Sequence, residues 1–246
     1  MGYIPEELDL MRKGLNAPYG LVFLTGPTGS GKSTSLYGAL NEIVSPELNV
    51  MTAEDPVEYK IDGINHVQVK PDIGLTFATV LRSFLRQDPD IILVGEVRDQ
   101  ETGEICLKAA LTGHLVLSTL HTNDALSAVT RLEDMGLPSY LLASGLRLII
   151  AQRLLRKLCP HCKEAYELTR KEYGTYTLKA DIAYNAKGCE KCNFVGYKGR
   201  TPIAEVVLVN DDLRNLIVKR ATISEMMPVA QKNGTLTLFQ IGMRRV

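Results

Sequence analysis

Gly26-Pro27-Thr28-Gly29-Ser30-Gly31-Lys32-Ser33 follows the apolar run Leu21-Val22-Phe23-Leu24 and leads into Thr34-Ser35-Leu36-Tyr37-Gly38-Ala39-Leu40. The octet is a complete phosphate-binding loop, and its setting is the one such a loop needs: a buried strand before it and a helix after it. Glycines let the backbone fold so that several N–H groups aim at one anion. The helix N-terminus adds partial positive charge. Residues Gly26, Pro27, Thr28, Gly29, Ser30, Gly31, Lys32, Ser33 and Thr34 are therefore expected to cradle a nucleoside triphosphate. Lys32 would reach the β- and γ-phosphates, and the Ser33 hydroxyl would bind Mg²⁺.

Outward from the loop, strands and helices alternate. Residues 5–16 read as a short amphipathic helix, with Leu8, Met11 and Leu15 on one side. Strands are expected at 21–24, 49–53, 64–69, 91–94, 114–118 and 201–209, the one at 64–69 lying at a sheet edge. Helices are expected at 76–87, 100–112, 125–135, 139–158 and 211–234. Ile91-Ile92-Leu93-Val94 is apolar throughout, as suits a central parallel strand buried on both faces. The alternation predicts an α/β fold with a mostly parallel sheet covered on both sides. Three parts are expected: a nucleotide-binding domain over 1–158, a cysteine module over 159–197, and a C-terminal strand and helical segment over 198–246. Residues 163–188 are polar and weakly periodic.

The chain has 246 residues, 45% of them apolar, enough for a substantial core. Lys+Arg and Asp+Glu both number 28, so the net charge is zero and bulk electrostatics gives no reason to expect nucleic acid as a partner. Between Leu146 and Lys163 the basic residues Arg147, Arg153, Arg156, Lys157 and Lys163 occur with no acid. That stretch is either an ordinary solvated face or a local patch for a partner. The polar start Met1-Gly2-Tyr3-Ile4-Pro5-Glu6-Glu7 is no signal peptide, and no stretch is apolar for long enough to span a membrane. A soluble, cytoplasmic protein is expected. Cys106 lies in a helical pattern and reads as a small buried apolar residue.

Two acidic groups accompany the loop. Glu96 ends the Ile91–Val94 strand, the Walker B form, in which a carboxylate at a strand's C-terminal end faces bound Mg²⁺ or its waters. Glu54, Asp55 and Glu58 cluster at the end of the preceding strand. A carboxylate there can orient the attacking water or accept its proton. Residue types alone leave open which acid does which.

Four blocks together resemble the secretion-superfamily ATPases, which drive type II secretion and type IV pilus assembly. They are Gly26–Ser33, Glu54–Glu58, Arg86–Asp99 and Gly113–Asn123, known in that family as Walker A, the Asp box, Walker B and the His box. The likeness continues through Gln152-Arg153-Leu154 and two CxxC pairs to Gly199-Arg200. It implies a RecA-like P-loop domain, ATP as substrate and a ring of six subunits. It also implies partners at the cytoplasmic face of the inner membrane, namely a platform protein and its cytoplasmic recruiter. By motif, Glu58 would polarise water and Glu96 would be the Walker B acid. Glu54 would lie at the nucleotide. His114 and His121 would stand near the γ-phosphate. Arg82, Arg86, Arg98 and Arg200 would serve at the subunit interface or sense phosphate. Relatives of this kind carry further N-terminal domains and more C-terminal helix, so the chain reads as the C-terminal ATPase part of a longer protein.

Cys159-Pro160-His161-Cys162 and Cys189-Glu190-Lys191-Cys192 are two CxxC pairs separated by 26 residues. Two such turns close a tetrahedron of thiolates around Zn²⁺, and four sulfurs leave no open position, so the site would be structural. His161 replacing one cysteine and redox chemistry are the alternatives. In the resembled family the module marks assembly and secretion ATPases and is missing from retraction ATPases. Beside the motor enzyme, two other readings are open: a nucleic-acid-translocating motor, and a nucleotide-binding assembly module with little turnover.

Overall fold

A computed structural model describes residues 2–167 and 182–245. The middle of the weakly periodic stretch, 168–181, lies outside the described residues. Six strands run parallel: β1 (Gly20–Thr25), β2 (Val50–Glu54), β3 (Ile64–Gln68), β4 (Ile91–Val94), β5 (Leu115–Leu120) and β6 (Leu146–Leu158). A last strand, β9 (Tyr197–Leu208), is antiparallel to β6 and completes a seven-stranded sheet in the order β3-β2-β4-β5-β1-β6-β9. The helices are α1 (Pro5–Leu15), α2 (Lys32–Ile43), α3 (Phe77–Phe84), α4 (Gln100–Leu111), α5 (Ser127–Asp134), α6 (Ser139–Gly145), α7 (Asp211–Val218), α8 (Ile223–Lys232) and α9 (Leu238–Met243). A separate two-stranded sheet pairs β7 (Lys163–Glu167) with β8 (Ile182–Ala186).

Alternating side chains divide the core into two. Val22 and Leu24 of β1, Leu93 of β4 and Leu117 of β5 point to the face covered by α1 and α2, where Leu10, Met11, Leu36 and Leu40 meet them. Leu21, Phe23, Ile92, Val94 and Val116 point to the other face, against Leu81, Phe84, Cys106, Leu126 and Leu142. Burial of both faces is why these strands read as unbroken apolar runs. Cys106 is fully buried, and the loss of solvent pushes its thiol up to about 12.

Three expectations are corrected. Residues 139–158 are not one helix: α6 stops at Gly145 and the chain continues as β6. Leu142, Leu146, Ile149, Ile150 and Leu154 satisfy a helical period, but a strand buried on both sides is apolar at every position and satisfies any period. At Gly145 an added Cβ would lie 2.5 Å from Leu107 Cδ1. Residues 211–234 form two helices, divided where Arg220 takes a positive φ of 52° and a Thr222–Glu225 capping box restarts the chain. The last strand, expected at 201–209, begins four residues earlier, at Tyr197.

Arg147, Arg153, Arg156 and Lys157 consequently lie along one extended strand and spread out, while Lys163 opens β7. Arg147 covers the Tyr19 ring at 5.2 Å and Arg156 the Tyr197 ring at 3.9 Å. Lys163 covers the Tyr184 ring at 4.0 Å, and Arg153 reaches the Asn123 carbonyl at 2.7 Å.

Candidate active site and metal centre

In a parallel sheet, the loops that leave the C-terminal ends of the strands share one rim. That rim carries a cleft of about 600 Å³. β1 delivers the phosphate loop, β2 the segment with Asp55 and Glu58, β4 Glu96 and Arg98, and β5 His121; all of these line the cleft.

The loop's curl rests on glycines at positive φ, 77° at Gly29 and 83° at Gly31, values that side chains on Cβ disfavour. Gly31 hands over to α2, whose first-turn N–H groups have no acceptor within the helix. Lys32 Nζ donates to the Gly26 carbonyl at 2.7 Å and the Pro27 carbonyl at 3.3 Å. Burial lowers the pKa of this ammonium, while the nearby Glu96 carboxylate opposes the shift. Thr28, Ser30, Ser33 and Thr34 line the same space.

Glu96 gathers the charges. Arg98 pairs with its Oε1, and His121 Nε2 stands 3.8 Å from its Oε2. The pair with Glu96 raises the pKa of Arg98. Burial, then the Lys32 charge, lowers that of His121, so the neutral imidazole is favoured beside the loop. Thr119 Oγ1 donates to the Gly95 carbonyl at 2.7 Å and fixes the turn that aims Glu96. Glu58 is exposed at the cleft wall.

Four other expected site residues stand elsewhere, whereas Glu54 lines the cleft. The expectation that His114 lies near the γ-phosphate is corrected: it precedes β5 while His121 follows it, roughly 20 Å away along an extended strand. His114 Nδ1 is bonded to the Ala109 carbonyl at 3.0 Å. Arg82 pairs with Glu101 across α3 and α4, and Arg86 is exposed just beyond α3. Arg200 is exposed on β9 opposite Arg156. None of these four lines the cleft. Glu54 is 4% exposed, with both oxygens engaged by Tyr37, Thr52 and His66.

Gln152, on β6, braces the phosphate loop from below. Its Nε2 donates to the Ser30 carbonyl at 2.7 Å, and its Oε1 accepts from Ser35 at 2.8 Å and Tyr3 at 2.5 Å. Only the run Gln152-Arg153-Leu154 drew notice to it in the sequence, with no hint of that contact. Tyr37, Tyr59 and Phe77 also line the cleft and carry no motif signal of their own.

The second cluster sits past the far end of β6. The Sγ atoms of Cys159, Cys162, Cys189 and Cys192 all lie within 4.8 Å of one another, and His161 is not among the group. Individual separations are 4.0 Å for Cys159–Cys189 and 3.8 Å for both Cys162–Cys192 and Cys189–Cys192. A tetrahedron with bonds of about 2.3 Å has sulfur–sulfur edges of about 3.8 Å, so the donor set fits Zn²⁺ in type, number and spacing. Burial raises the pKa of the Cys192 thiol, but N–H donors from Cys189 and Gly196, each 3.2 Å from its sulfur, and the neighbouring Cys162 and Cys189 thiols outweigh that and lower it, while burial and the contacts with its neighbours push Cys162 up. Thiolate is the form that binds metal.

Among the described residues no helix is long and apolar enough to cross a membrane.

Comparison with known proteins places these features in context. A family model described as "Type II/IV secretion system protein" matches residues 1–246. The chain is 51% identical to the type II secretion system ATPase E of Vibrio cholerae, over 90% of this chain and 44% of that protein. It is 47% identical to the type IV pilus assembly ATPase PilB of Myxococcus xanthus, over 100% of this chain and 44% of the relative. Among solved structures, the pilus retraction motor PilT with bound ADP superposes with a TM-score of 0.69 at 32% identity, covering 95% of this chain and 59% of that one. The chain thus spans less than half the length of these two curated relatives.

Proposed function

The chain belongs to the type II/IV secretion system protein family, and on that premise we propose that it is the motor part of a cytoplasmic traffic ATPase. It hydrolyses ATP to ADP and phosphate to power assembly of a type II secretion pseudopilus or a type IV pilus. The observation that carries this reading is the convergence of the phosphate loop, Glu96 and Glu58 on one cleft.

The loop's N–H groups and Lys32 hold the β- and γ-phosphates. The Ser33 hydroxyl and Glu96, with its waters, are the groups suited to hold Mg²⁺, which spreads the charge on the phosphate oxygens. Glu58 orients a water in line with the γ-phosphorus and accepts its proton as the new P–O bond forms and the bond to ADP breaks. His121, neutral beside the loop, can donate a hydrogen bond to a phosphate oxygen. Arg98 sits at the cleft mouth. Arg82, Arg86 and Arg200 are free of the cleft and suit contacts with neighbouring subunits in a ring of six.

The four cysteines hold Zn²⁺ as a structural centre. Sequence relatives named for secretion and pilus assembly favour that direction of work over retraction. The platform protein at the inner membrane and its recruiter are the expected partners, with the enzyme peripheral to that membrane; neutral net charge argues against nucleic acid.

Phosphate release by this chain and by its Lys32→Ala and Glu58→Gln variants tests the reading. Turnover should require Lys32 and Glu58, and nucleotide binding should survive Glu58→Gln. Full turnover in either variant would overturn the assignment.

A further inference from the structure

Beneath the segment that carries Glu58 lies a buried polar set that phosphate binding does not use. Glu54 ends β2, and the Tyr37 hydroxyl of α2 donates to its Oε2. Its Oε1 takes the Thr52 hydroxyl at 2.5 Å and His66 Nδ1 at 2.8 Å. His66 sits on edge strand β3 with its side chain 4% exposed.

The other ring nitrogen decides the tautomer. His66 Nε2 accepts the Ile61 N–H at 3.1 Å, so it carries no proton. The single proton is on Nδ1, aimed at Glu54 and at Thr52 Oγ1, 2.8 Å away. Tyr37 makes a second anchor. Its ring stacks on Tyr59 at 4.2 Å. Residues 55–63 are therefore held at Ile61 by His66 and at Tyr59 by Tyr37, and Glu54 joins the two.

We propose that His66 is a positioning residue for hydrolysis: its neutral, Nδ1-protonated ring ties the Ile61 amide to Glu54 and so holds Glu58 at the cleft. The proposal rests on the reading of Glu58 as the residue that activates water.

Two substitutions separate positioning from bulk. In His66→Gln the carboxamide can accept from Ile61 and donate to Glu54, and it does not titrate. In His66→Leu the volume is similar and both bonds are lost. The Leu variant should lower kcat about 10- to 100-fold with the KM for ATP little changed. The Gln variant should keep kcat within about threefold.

Two readouts do not need turnover. At pH 8 the ¹⁵N spectrum of the native chain should show the proton on Nδ1. The Ile61 amide should exchange slowly with solvent in the native chain and His66→Gln, and fast in His66→Leu. A proton on Nε2 or an Ile61 amide indifferent to His66→Leu would overturn the proposal. If Glu58→Gln leaves turnover intact, the water-activating reading fails by itself, and Ile61 exchange still judges the His66 contact.

Discussion

In the cleft, Lys32, Arg98 and His121 surround Glu96 in an open space of about 600 Å³. In the knuckle, four sulfurs close on one another at 3.8–4.0 Å. Both regions concentrate charge, but the cleft leaves room for a ligand that comes and goes, whereas the knuckle is saturated by its own donors. Their supports differ in the same sense. The cleft stands on the ends of four strands inside two packed cores. The knuckle stands on two turns and a two-stranded sheet, with Cys159, Ala183 and Cys192 as its buried apolar residues among those described. On the reading of the four cysteines as a zinc site, metal ligation supplies what so small a core does not.

Removing the metal should give the largest effect and should strike one region alone. Chelation, or Cys159→Ser, should abolish zinc content and amide protection in 159–167 and 182–196, with binding energy of about 10–16 kcal/mol at stake. Protection in β1, β4 and β5 should persist. Collapse of the whole sheet together with the knuckle would show that the two regions fold as one.

Next come the charges of the cleft. Glu58→Gln should cut kcat by about 10²- to 10⁴-fold and leave zinc content unchanged. Lys32→Ala should weaken ATP binding as well, measured by calorimetry with Mg²⁺ present.

A smaller effect is expected where β6 touches the loop. Gln152→Ala leaves Tyr3, Ser35 and the Ser30 carbonyl without their partner, at a cost of about 1–3 kcal/mol in stability by denaturant unfolding. Nucleotide affinity should fall with it; an unchanged affinity would separate the brace from the loop it touches.

The smallest lies at Glu205, buried on β9, where desolvation raises the carboxyl pKa above 4.5 although Ala125 N–H donates to it at 2.9 Å. The folded state holds this proton more tightly than the unfolded one. Its contribution is therefore complete below about pH 4.5 and is lost as pH rises through the raised folded value. Glu205→Gln has no such slope, so its stability relative to the native chain should improve across that window. A difference independent of pH would contradict the shift.

Legibility in the sequence followed the geometry of each feature. The phosphate loop and the CxxC pairs could be read because their chemistry lies within a few consecutive residues. Glu96 could be read because it ends a run that is apolar on both faces. His114 was misplaced because a histidine-bearing block was treated as one location, whereas seven residues of extended chain put its ends on opposite rims. β6 was read as helix because burial on both faces erases the period that tells strand from helix. The Tyr37–Glu54–His66 set was invisible because its members come from α2, β2 and β3 and share no spacing.

One strand joins the two regions compared above. β6 starts beside β1, braces the phosphate loop through Gln152, and runs for 13 residues, about 40 Å, to the residue before Cys159. Tension applied at the sulfur-bound tip thus travels along a single covalent rod, laced to β9, and arrives at the Ser30 carbonyl. A pull from outside and the grip on a triphosphate share one mechanical line.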